Sequence, residues 1–234
     1  MEYVINEMPR RYRMEKVCVI VGAATTEEKD FLQYYKNLKS TCTDSYVIAA
    51  DQGYEFLSNN HIEADLIVGD FDSLGKTPEG SNVIKHPVMK DDTDLLLAIK
   101  EGLKRGCTFF AIFGGLGGRL DHTFGNLQIL GYLKEHGARG VLYGDGMHAT
   151  IIKNEKIKFD ASFRGILSVF AFGGLAEGVN LRNLKYELND ACLQSHIPLG
   201  VSNEFIGKSS MVEVCNGELL IMWEKENWQW PKFS

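Results

Sequence analysis

Two carboxylates one residue apart follow an apolar run in the segment Ile67-Val68-Gly69-Asp70-Phe71-Asp72-Ser73. The apolar run predicts the end of a buried strand. Because side chains two positions apart in an extended chain point to the same face, Asp70 and Asp72 can face one point. Such a pair suits Mg²⁺ and the phosphates that it accompanies. The alternative is an Asp-rich turn in which Asp72 and Ser73 bond the local backbone.

Further acidic residues follow other predicted strands of the same half of the chain. Asp51 comes directly after an apolar run, and Asp121 follows a glycine-rich turn. The segment Lys90-Asp91-Asp92-Thr93-Asp94 opens a helical pattern, where its acids and its threonine could also simply cap the helix. Because ligands collect at the carboxyl ends of parallel strands, we expect these groups to share one site.

The glycine-rich segment 114–118 and the following Arg119 suit an anion. Backbone N–H groups close to a helix start bind phosphate oxygens, and the guanidinium group of Arg119 offers several donors to the same oxygens. The segment lacks the lysine pattern of the common P-loop. A helix is predicted from Thr123 to about His136, and Asp121 could cap it.

Alternating strand and helix patterns up to about residue 148 predict the fold that positions these groups. Apolar runs occur at residues 17–21, 46–50, 66–68, 83–84, 109–113 and 141–143, with helical patterns between most of them. This order predicts an α/β domain at residues 1–148, a mostly parallel Rossmann-like sheet flanked by helices.

The pattern changes in the last third of the chain. Short apolar segments are separated by turn residues such as Gly173-Gly174 and Asn189-Asp190. Asn216-Gly217 lies between two alternating runs and predicts a hairpin. We therefore expect a small antiparallel β-sandwich at residues 149–234.

Composition narrows the classes of function. The chain of 234 residues has a formal net charge of −6, which argues against a nucleic-acid partner. No apolar stretch approaches the roughly 20 residues of a membrane helix, and acidic residues stand where a signal peptide would be apolar. The five cysteines lack the spacing of a zinc site or a disulfide framework. A cytoplasmic protein without a membrane partner is expected.

Taken together, the motifs resemble the thiamine pyrophosphokinase family over nearly the whole chain beyond the first fifteen residues. The matching blocks are Ala49-Ala50-Asp51-Gln52-Gly53, Gly69-Asp70-Phe71-Asp72-Ser73, Lys90-Asp91-Asp92-Thr93-Asp94 and the segment from Gly114 to His122, with later blocks at Leu184-Lys185-Tyr186-Glu187-Leu188 and Gly200-Val201-Ser202-Asn203.

The resemblance implies transfer of diphosphate from ATP to the hydroxyl group of thiamine, which gives thiamine diphosphate and AMP. It implies an α/β domain that binds ATP and Mg²⁺ and a β-sandwich that binds thiamine in a homodimer. By the same resemblance, Asp70, Asp72, Asp94 and Asp121 are catalytic and the first three hold Mg²⁺; Asp51, Gly53, Lys90, Asp91, Asp92, Thr93, Gly115 and Arg119 bind ATP; and Tyr186, Ser202 and Asn203 bind thiamine.

Two positions depart from the family pattern. Gln52 stands where the family has a glycine, and Tyr186 stands where a tryptophan is common. The acids that the resemblance makes catalytic indicate binding of ATP and a metal ion, but they do not indicate which acceptor molecule is bound. A diphosphotransferase for another hydroxymethyl heterocycle, such as a pterin, is therefore one alternative, and a non-catalytic nucleotide- or thiamine-binding protein is the other. Which acid would accept the hydroxyl proton stays open.

Overall fold

A computed structural model of the chain describes residues 16–24, 26–42, 44–70, 82–85, 91–224 and 231–233. They form two compact units, an α/β unit that ends at Asp145 and a β unit that begins at Gly146. Within the described ranges, no helix is both long and apolar enough to cross a membrane.

The α/β unit contains one parallel sheet with helices packed on it. Its strands run in the order β4-β3-β2-β1-β5-β6, and each neighbouring pair is parallel. The predicted mixed α/β class is therefore confirmed. The strands are β1 (Val17–Val21), β2 (Ser45–Ala50), β3 (Leu66–Gly69), β4 (Val83–Lys85), β5 (Phe109–Phe113) and β6 (Arg139–Gly144), and the helices are α1 (Glu28–Thr41), α2 (Gly53–Asn59), α3 (Asp94–Lys104) and α4 (Leu120–Glu135).

Strands β1 and β5, which pair with each other inside the sheet, are buried along their whole length. This burial explains their continuous apolar sequences, because strands covered on both faces do not alternate with polar residues. The ring of Phe31 from α1 packs edge to face on Phe113 at 5.0 Å and on Phe56 of α2 at 5.2 Å. Each such aromatic residue contributes about 2 kcal/mol through burial, and together they fix the helices on the sheet.

The parallel arrangement brings the carboxyl ends of all six strands to one edge of the sheet, called the carboxyl edge below. Helix α3 runs antiparallel to the strands and packs on β1, β2 and β3. Just past its end, the guanidinium group of Arg105 lies 4.9 Å from the ring of Tyr46, near the start of β2. The opposite end of α3, which begins with Asp94, therefore lies at the carboxyl edge.

The β unit consists of antiparallel strands around a long strand, β9. The first half of β9 pairs with β13 and β11, and its second half pairs with β12 and β10. The strands are β7 (Met147–Lys153), β8 (Lys156–Phe159), β9 (Ile166–Arg182), β10 (Leu188–Leu193), β11 (Gly200–Glu204), β12 (Ser210–Glu213), β13 (Asn216–Glu224) and β14 (Lys232–Phe233).

The interior of the β unit is aromatic. The Trp223 ring of β13 packs on Phe159 of β8 at 5.5 Å and on His148 of β7 at 5.4 Å. Strands β7 and β13, on the side of the first half of β9, and strand β8, on the side of its second half, therefore contribute to one core. His148 is only 3% exposed, and this burial lowers its pKa to about 3 because the charged imidazolium would lose its hydration.

Three local predictions for the β unit are wrong. Asn189-Asp190 does not separate two strands but lies within β10, where Asp190 has a φ of +50°. Gly173-Gly174 is not a turn but a bend within β9, where Gly173 has a φ of +69°. The segments on either side of Asn216-Gly217 do not form a hairpin, since β12 and β13 each pair with β9 and not with each other. Gly217 instead bonds the turn after β7, where Asn154 Oδ1 accepts from its N–H at 2.9 Å.

Candidate active site

The loops that follow the neighbouring strands β1 and β5 meet at the carboxyl edge. The Gly22 N–H donates to the Phe113 carbonyl at 2.7 Å, and the Ala24 N–H donates to the Gly114 carbonyl at 3.1 Å. A Cβ atom at Gly114, whose φ is +68°, would lie 2.7 Å from the carbonyl oxygens of both Gly22 and Ala24. After β1 the chain continues to β2, on one side of this strand pair, and after β5 it continues to β6, on the other side. In α/β proteins, ligands bind in the crevice at such a reversal of strand order.

Gly53 begins α2 directly against the end of β1. A Cβ atom at this position would overlap the Val21 carbonyl oxygen, so only glycine fits. Gln52 is exposed and has an ordinary φ of −60°, so the side chain that departs from the family pattern meets no steric obstacle. Asp51 directly follows β2 and has a φ of +50°, and its N–H donates to the Val68 carbonyl at 2.8 Å.

The glycine-rich turn after β5 is fastened to α4 by two side chains. Asn126 Nδ2 donates to the Gly115 carbonyl at 2.8 Å, and Thr123 Oγ1 donates to the Gly117 carbonyl at 3.2 Å. Gly115 is buried, and a Cβ there would lie 2.6 Å from Leu142. Because its carbonyls are held by α4, the turn has a fixed shape. Sequence patterns did not identify Asn126, which lies 11 residues from the carbonyl that it binds.

Arg119 and Asp121 form an ion pair with two contacts at the start of α4. Arg119 Nη2 lies 2.6 Å from Asp121 Oδ2, and Nε donates to Oδ1 at 3.2 Å. This hydrogen bonding holds the pKa of Asp121 below its usual range. Helix α4 begins at Leu120 rather than at the predicted Thr123, so Asp121 lies in its first turn. Both side chains are exposed and accessible to a ligand.

The acids at the start of α3 differ in their surroundings. Thr93 is the N-cap residue, and its Oγ1 accepts from the Leu96 N–H at 3.2 Å. Asp92 is held by Lys100, with 2.6 Å between Oδ2 and Nζ. Asp91 is exposed, and Asp94 is partly buried in the first turn of the helix. Lys100 was not among the predicted site residues, because its partner lies eight positions earlier.

Asp70 immediately follows β3, so the strand directions bring it to the carboxyl edge together with Asp51, Asp94 and Asp121. Two further predicted site residues, Asp72 and Lys90, lie outside the described residues. Within the described residues, no three Asp, Glu, His or Cys side chains form a group able to hold a metal ion. The predicted metal set includes Asp72 and therefore stays a prediction.

Asp145 is an additional acid at the carboxyl edge. It directly follows β6 and has a φ of +50°. A Cβ at Gly117 would lie 3.2 Å from the Cβ of Asp145, so the side chain borders the glycine-rich turn. The rule that polar groups at strand ends form the site, applied to the last strand of the sheet as well, would have found it.

The predicted thiamine contacts belong to the β unit. Tyr186 is 59% exposed, whereas Asn203 is only 3% exposed and its carboxamide bonds the backbone of Tyr186. Ser202 is exposed with a φ of +56°, and its N–H donates to Ser168 Oγ at 3.1 Å. The structure therefore brings these three residues together in one unit.

Two family models match the chain. Thiamin pyrophosphokinase, catalytic domain, matches residues 35–142, and Thiamin pyrophosphokinase, vitamin B1 binding domain, matches residues 151–221. A curated relative, Thiamine pyrophosphokinase of Bacillus subtilis (strain 168), is 28% identical over 183 residues, which are 75% of this chain and 85% of the relative.

Solved structures show the same fold. The crystal structure of Thiamine pyrophosphokinase from Bacillus subtilis has a TM-score of 0.77 at 24% identity and covers 91% of this chain and 100% of its own. The yeast Thiamin Pyrophosphokinase structure has a TM-score of 0.70 at 16% identity, with 90% of this chain and 86% of its own covered. At these identities the likeness establishes the fold alone.

Proposed function

The chain belongs to the thiamin pyrophosphokinase family, and from that premise we propose that it transfers the diphosphoryl group of ATP to the hydroxyl group of thiamine. The hydroxyl oxygen attacks the β-phosphorus of ATP, the bond from that phosphorus to the oxygen of the α-phosphate breaks, and AMP leaves. The products are thiamine diphosphate, AMP and the proton of the hydroxyl group.

The observation that carries this proposal is the placement of the acids and the anion-binding turn at one edge of one sheet. Asp70 follows β3, Asp94 begins α3, and Arg119 and Asp121 begin α4. Since the strands are parallel and the helices return antiparallel to them, all of these groups belong to the carboxyl edge. A polyphosphate needs both cations and metal-binding carboxylates, and this edge offers both.

We propose that the ordered turn after β5 binds phosphate oxygens of ATP. Its carbonyls are held by Asn126 and Thr123, which leaves its shape independent of the ligand. Arg119 donates to the same phosphates, because a guanidinium group matches two oxygens at once. Asp121 accepts from those donors in the structure, and we propose that phosphate oxygens of ATP replace its carboxylate and so release Asp121 next to the transferring group.

Mg²⁺ requires hard oxygen ligands, and carboxylates supply them. We propose that Asp70, Asp72 and Asp94 hold the ion. When bound, Mg²⁺ neutralises negative charge on the phosphates during transfer. Asp92, two positions before Asp94, is held by Lys100. The ammonium group also reduces the repulsion that a row of acids would exert on ATP.

We propose that Tyr186 and Ser202 of the β unit contact thiamine. Both residues are exposed and lie within the matched vitamin B1 binding region. The family resemblance further predicts a homodimer in which the β unit of one chain helps to bind the thiamine of the other. Light scattering of the purified protein tests this prediction through its mass in solution.

Formation of AMP from ATP tests the proposed reaction. The purified protein, incubated with ATP, Mg²⁺ and thiamine, is expected to release AMP in step with thiamine diphosphate. A hydroxymethyl pterin in place of thiamine is the matched control and is expected to give no AMP. Release of ADP with thiamine, or of AMP only with the pterin, would reject the proposed reaction.

A further inference from the structure

Asn203 uses its carboxamide to hold the backbone of Tyr186. Its Oδ1 accepts from the Tyr186 N–H at 2.9 Å, and its Nδ2 donates to the Tyr186 carbonyl at 2.6 Å. The same Oδ1 accepts from the Glu204 N–H at 2.9 Å. With only 3% of Asn203 exposed, against 59% of Tyr186, the amide is committed to the protein while the neighbouring ring is presented outward.

A bulge in β11 explains why a side chain, and not the backbone, bonds the backbone groups of Tyr186. The pairing of β11 with β9 shifts register between Gly200 and Asn203, and Ser202 within the bulge has a φ of +56°. The Ser202 N–H is turned to Ser168 Oγ at 3.1 Å. A bulge re-aims the side chains of a strand and interrupts its backbone pairing, and bulges are common beside functional sites.

Residues 184–186 run alongside the continuation of β11. Leu184 forms a bridge with Phe205, and the Lys185 N–H donates to the Glu204 carbonyl at 3.0 Å. At the next position, the carboxamide of Asn203 bonds both backbone groups of Tyr186 and so replaces the peptide group that a regular strand would supply. This pair of bonds continues the ladder past the bulge and fixes the backbone that carries the ring.

The ring of Tyr186 is also oriented by charge. Lys185 Nζ lies 5.6 Å from the ring centroid and 2.6 Å from Glu204 Oε1. Glu204 in turn bonds Asn203 through its N–H. The backbone and one flank of Tyr186 are therefore both anchored on residues 203 and 204.

We propose that Asn203 is a positioning residue, which fixes Tyr186 for contact with the acceptor heterocycle and does not itself contact the substrate. This inference rests on the proposed function and replaces the direct thiamine contact predicted for Asn203 from the resemblance. Because the effect passes through Tyr186, loss of Asn203 matters for the acceptor and not for ATP.

A double-mutant cycle tests this dependence. Asn203→Ala is expected to raise the KM for thiamine about tenfold, as loss of two hydrogen bonds implies, with kcat and the KM for ATP little changed. In a Tyr186→Ala background the same substitution is expected to change the KM for thiamine by less than about twofold.

Hydrogen exchange gives a readout that is independent of activity. The Tyr186 amide donates to Asn203, so Asn203→Ala is expected to accelerate its exchange at least about tenfold. Asn180→Ala is the matched control, since Asn180 also bonds backbone groups of the β unit, the Asp190 N–H and the Gly178 carbonyl. The control is expected to leave both the KM for thiamine and this exchange rate unchanged.

These experiments can reject the positioning role of Asn203 without rejecting the proposed kinase reaction. An equal rise in the KM for thiamine in both backgrounds, or no rise after Asn203→Ala, would overturn the positioning role. An unchanged KM after Tyr186→Ala alone, with AMP formation intact, would overturn it while leaving the kinase assignment in place. If Asn203→Ala does not fold, Asn203→Asp is the second variant. It keeps the acceptor for the Tyr186 N–H, replaces the donor with a carboxylate oxygen that faces the Tyr186 carbonyl, and is expected to raise the KM for thiamine in the same way.

Discussion

Arg119 and Asp121 neutralise each other at the start of α4, with 2.6 Å between Nη2 and Oδ2. The hydrogen bonds from Arg119 lower the pKa of Asp121, so the carboxylate stays ionised further into the acidic range. Both groups are needed elsewhere in the proposed reaction, Arg119 at the phosphates and Asp121 at the transferring group. The ion pair leaves neither charge uncompensated.

Substitution Arg119→Gln is expected to raise the KM for ATP and to move the acidic limb of the pH profile of kcat/KM to higher pH. The reason for the second effect is that the pKa of Asp121 rises once its hydrogen-bond donor is gone. Lys104→Gln, which breaks an ion pair with Glu101 on α3, serves as the control. If the acidic limb does not move in Arg119→Gln, ionisation of Asp121 does not determine the acidic limb of the kcat/KM profile.

Lys100 is expected to act through the segment before α3. Lys100→Met removes the partner of Asp92 and returns an uncompensated acid to the edge that binds ATP. We predict a rise of about threefold in the KM for ATP, while Lys100→Arg keeps the charge and restores the wild-type value. Steady-state kinetics at varied ATP measure this, and equal KM values for the Met and Arg variants would contradict the prediction.

Substitutions at Gly53 and Gln52 are expected to change the free energy of unfolding by very different amounts. Gly53→Ala places a Cβ on the Val21 carbonyl and is predicted to lower the free energy of unfolding by about 3 kcal/mol. Gln52→Gly restores the family pattern at an exposed position and is predicted to change it by less than about 1 kcal/mol. Urea unfolding of both variants measures these effects. A harmless Gly53→Ala would refute the close approach of α2 to β1.

The stability of the chain is expected to depend on pH through His148. Its pKa is about 3 when folded and about 6.5 when unfolded. Between these values the unfolded chain binds more protons, so the free energy of unfolding falls as the pH drops below about 6.5. We predict a loss of about 2 kcal/mol between about pH 7.5 and pH 5 from this residue.

His148→Gln removes the titrating group and is expected to show a smaller loss over the same range, measured by urea unfolding at both pH values. The variant is less stable than the wild type at pH 7.5, because the packing on Trp223 is disturbed. Identical pH dependence in the two proteins would mean that His148 does not titrate on unfolding.

Local sequence patterns predict the α/β unit well because β1, β3 and β5 are buried along their whole length, and because acids directly follow β2 and β3. The runs at β1 and β5 and the acids Asp51 and Asp70 need only a short window of sequence to be recognised. The strand directions then follow from the alternation of strands and helices. Contacts between distant residues are different, since the bonds of Lys100 and Asn126 depend on how two elements pack.

The β unit was predicted less well for a related reason. A turn-forming pair such as Asn216-Gly217 specifies a local bend, but the choice of partner strand is made by the core, where Trp223 and Phe159 pack together. Gly173 permits a positive φ, which serves a bend inside β9 as well as it would serve a turn. The role of Asn203 likewise depends on a bulge that no short pattern encodes.

The rate of AMP formation in wild type, Asp70→Asn and Asp94→Asn tests the central claim, that acids distant in sequence act together at the carboxyl edge. Each substitution keeps the shape of the side chain and removes its charge. We predict that wild type forms AMP from ATP with thiamine and that each variant loses at least about a thousandfold in kcat while its unfolding curve stays unchanged. Near-normal AMP formation by either correctly folded variant would contradict the account.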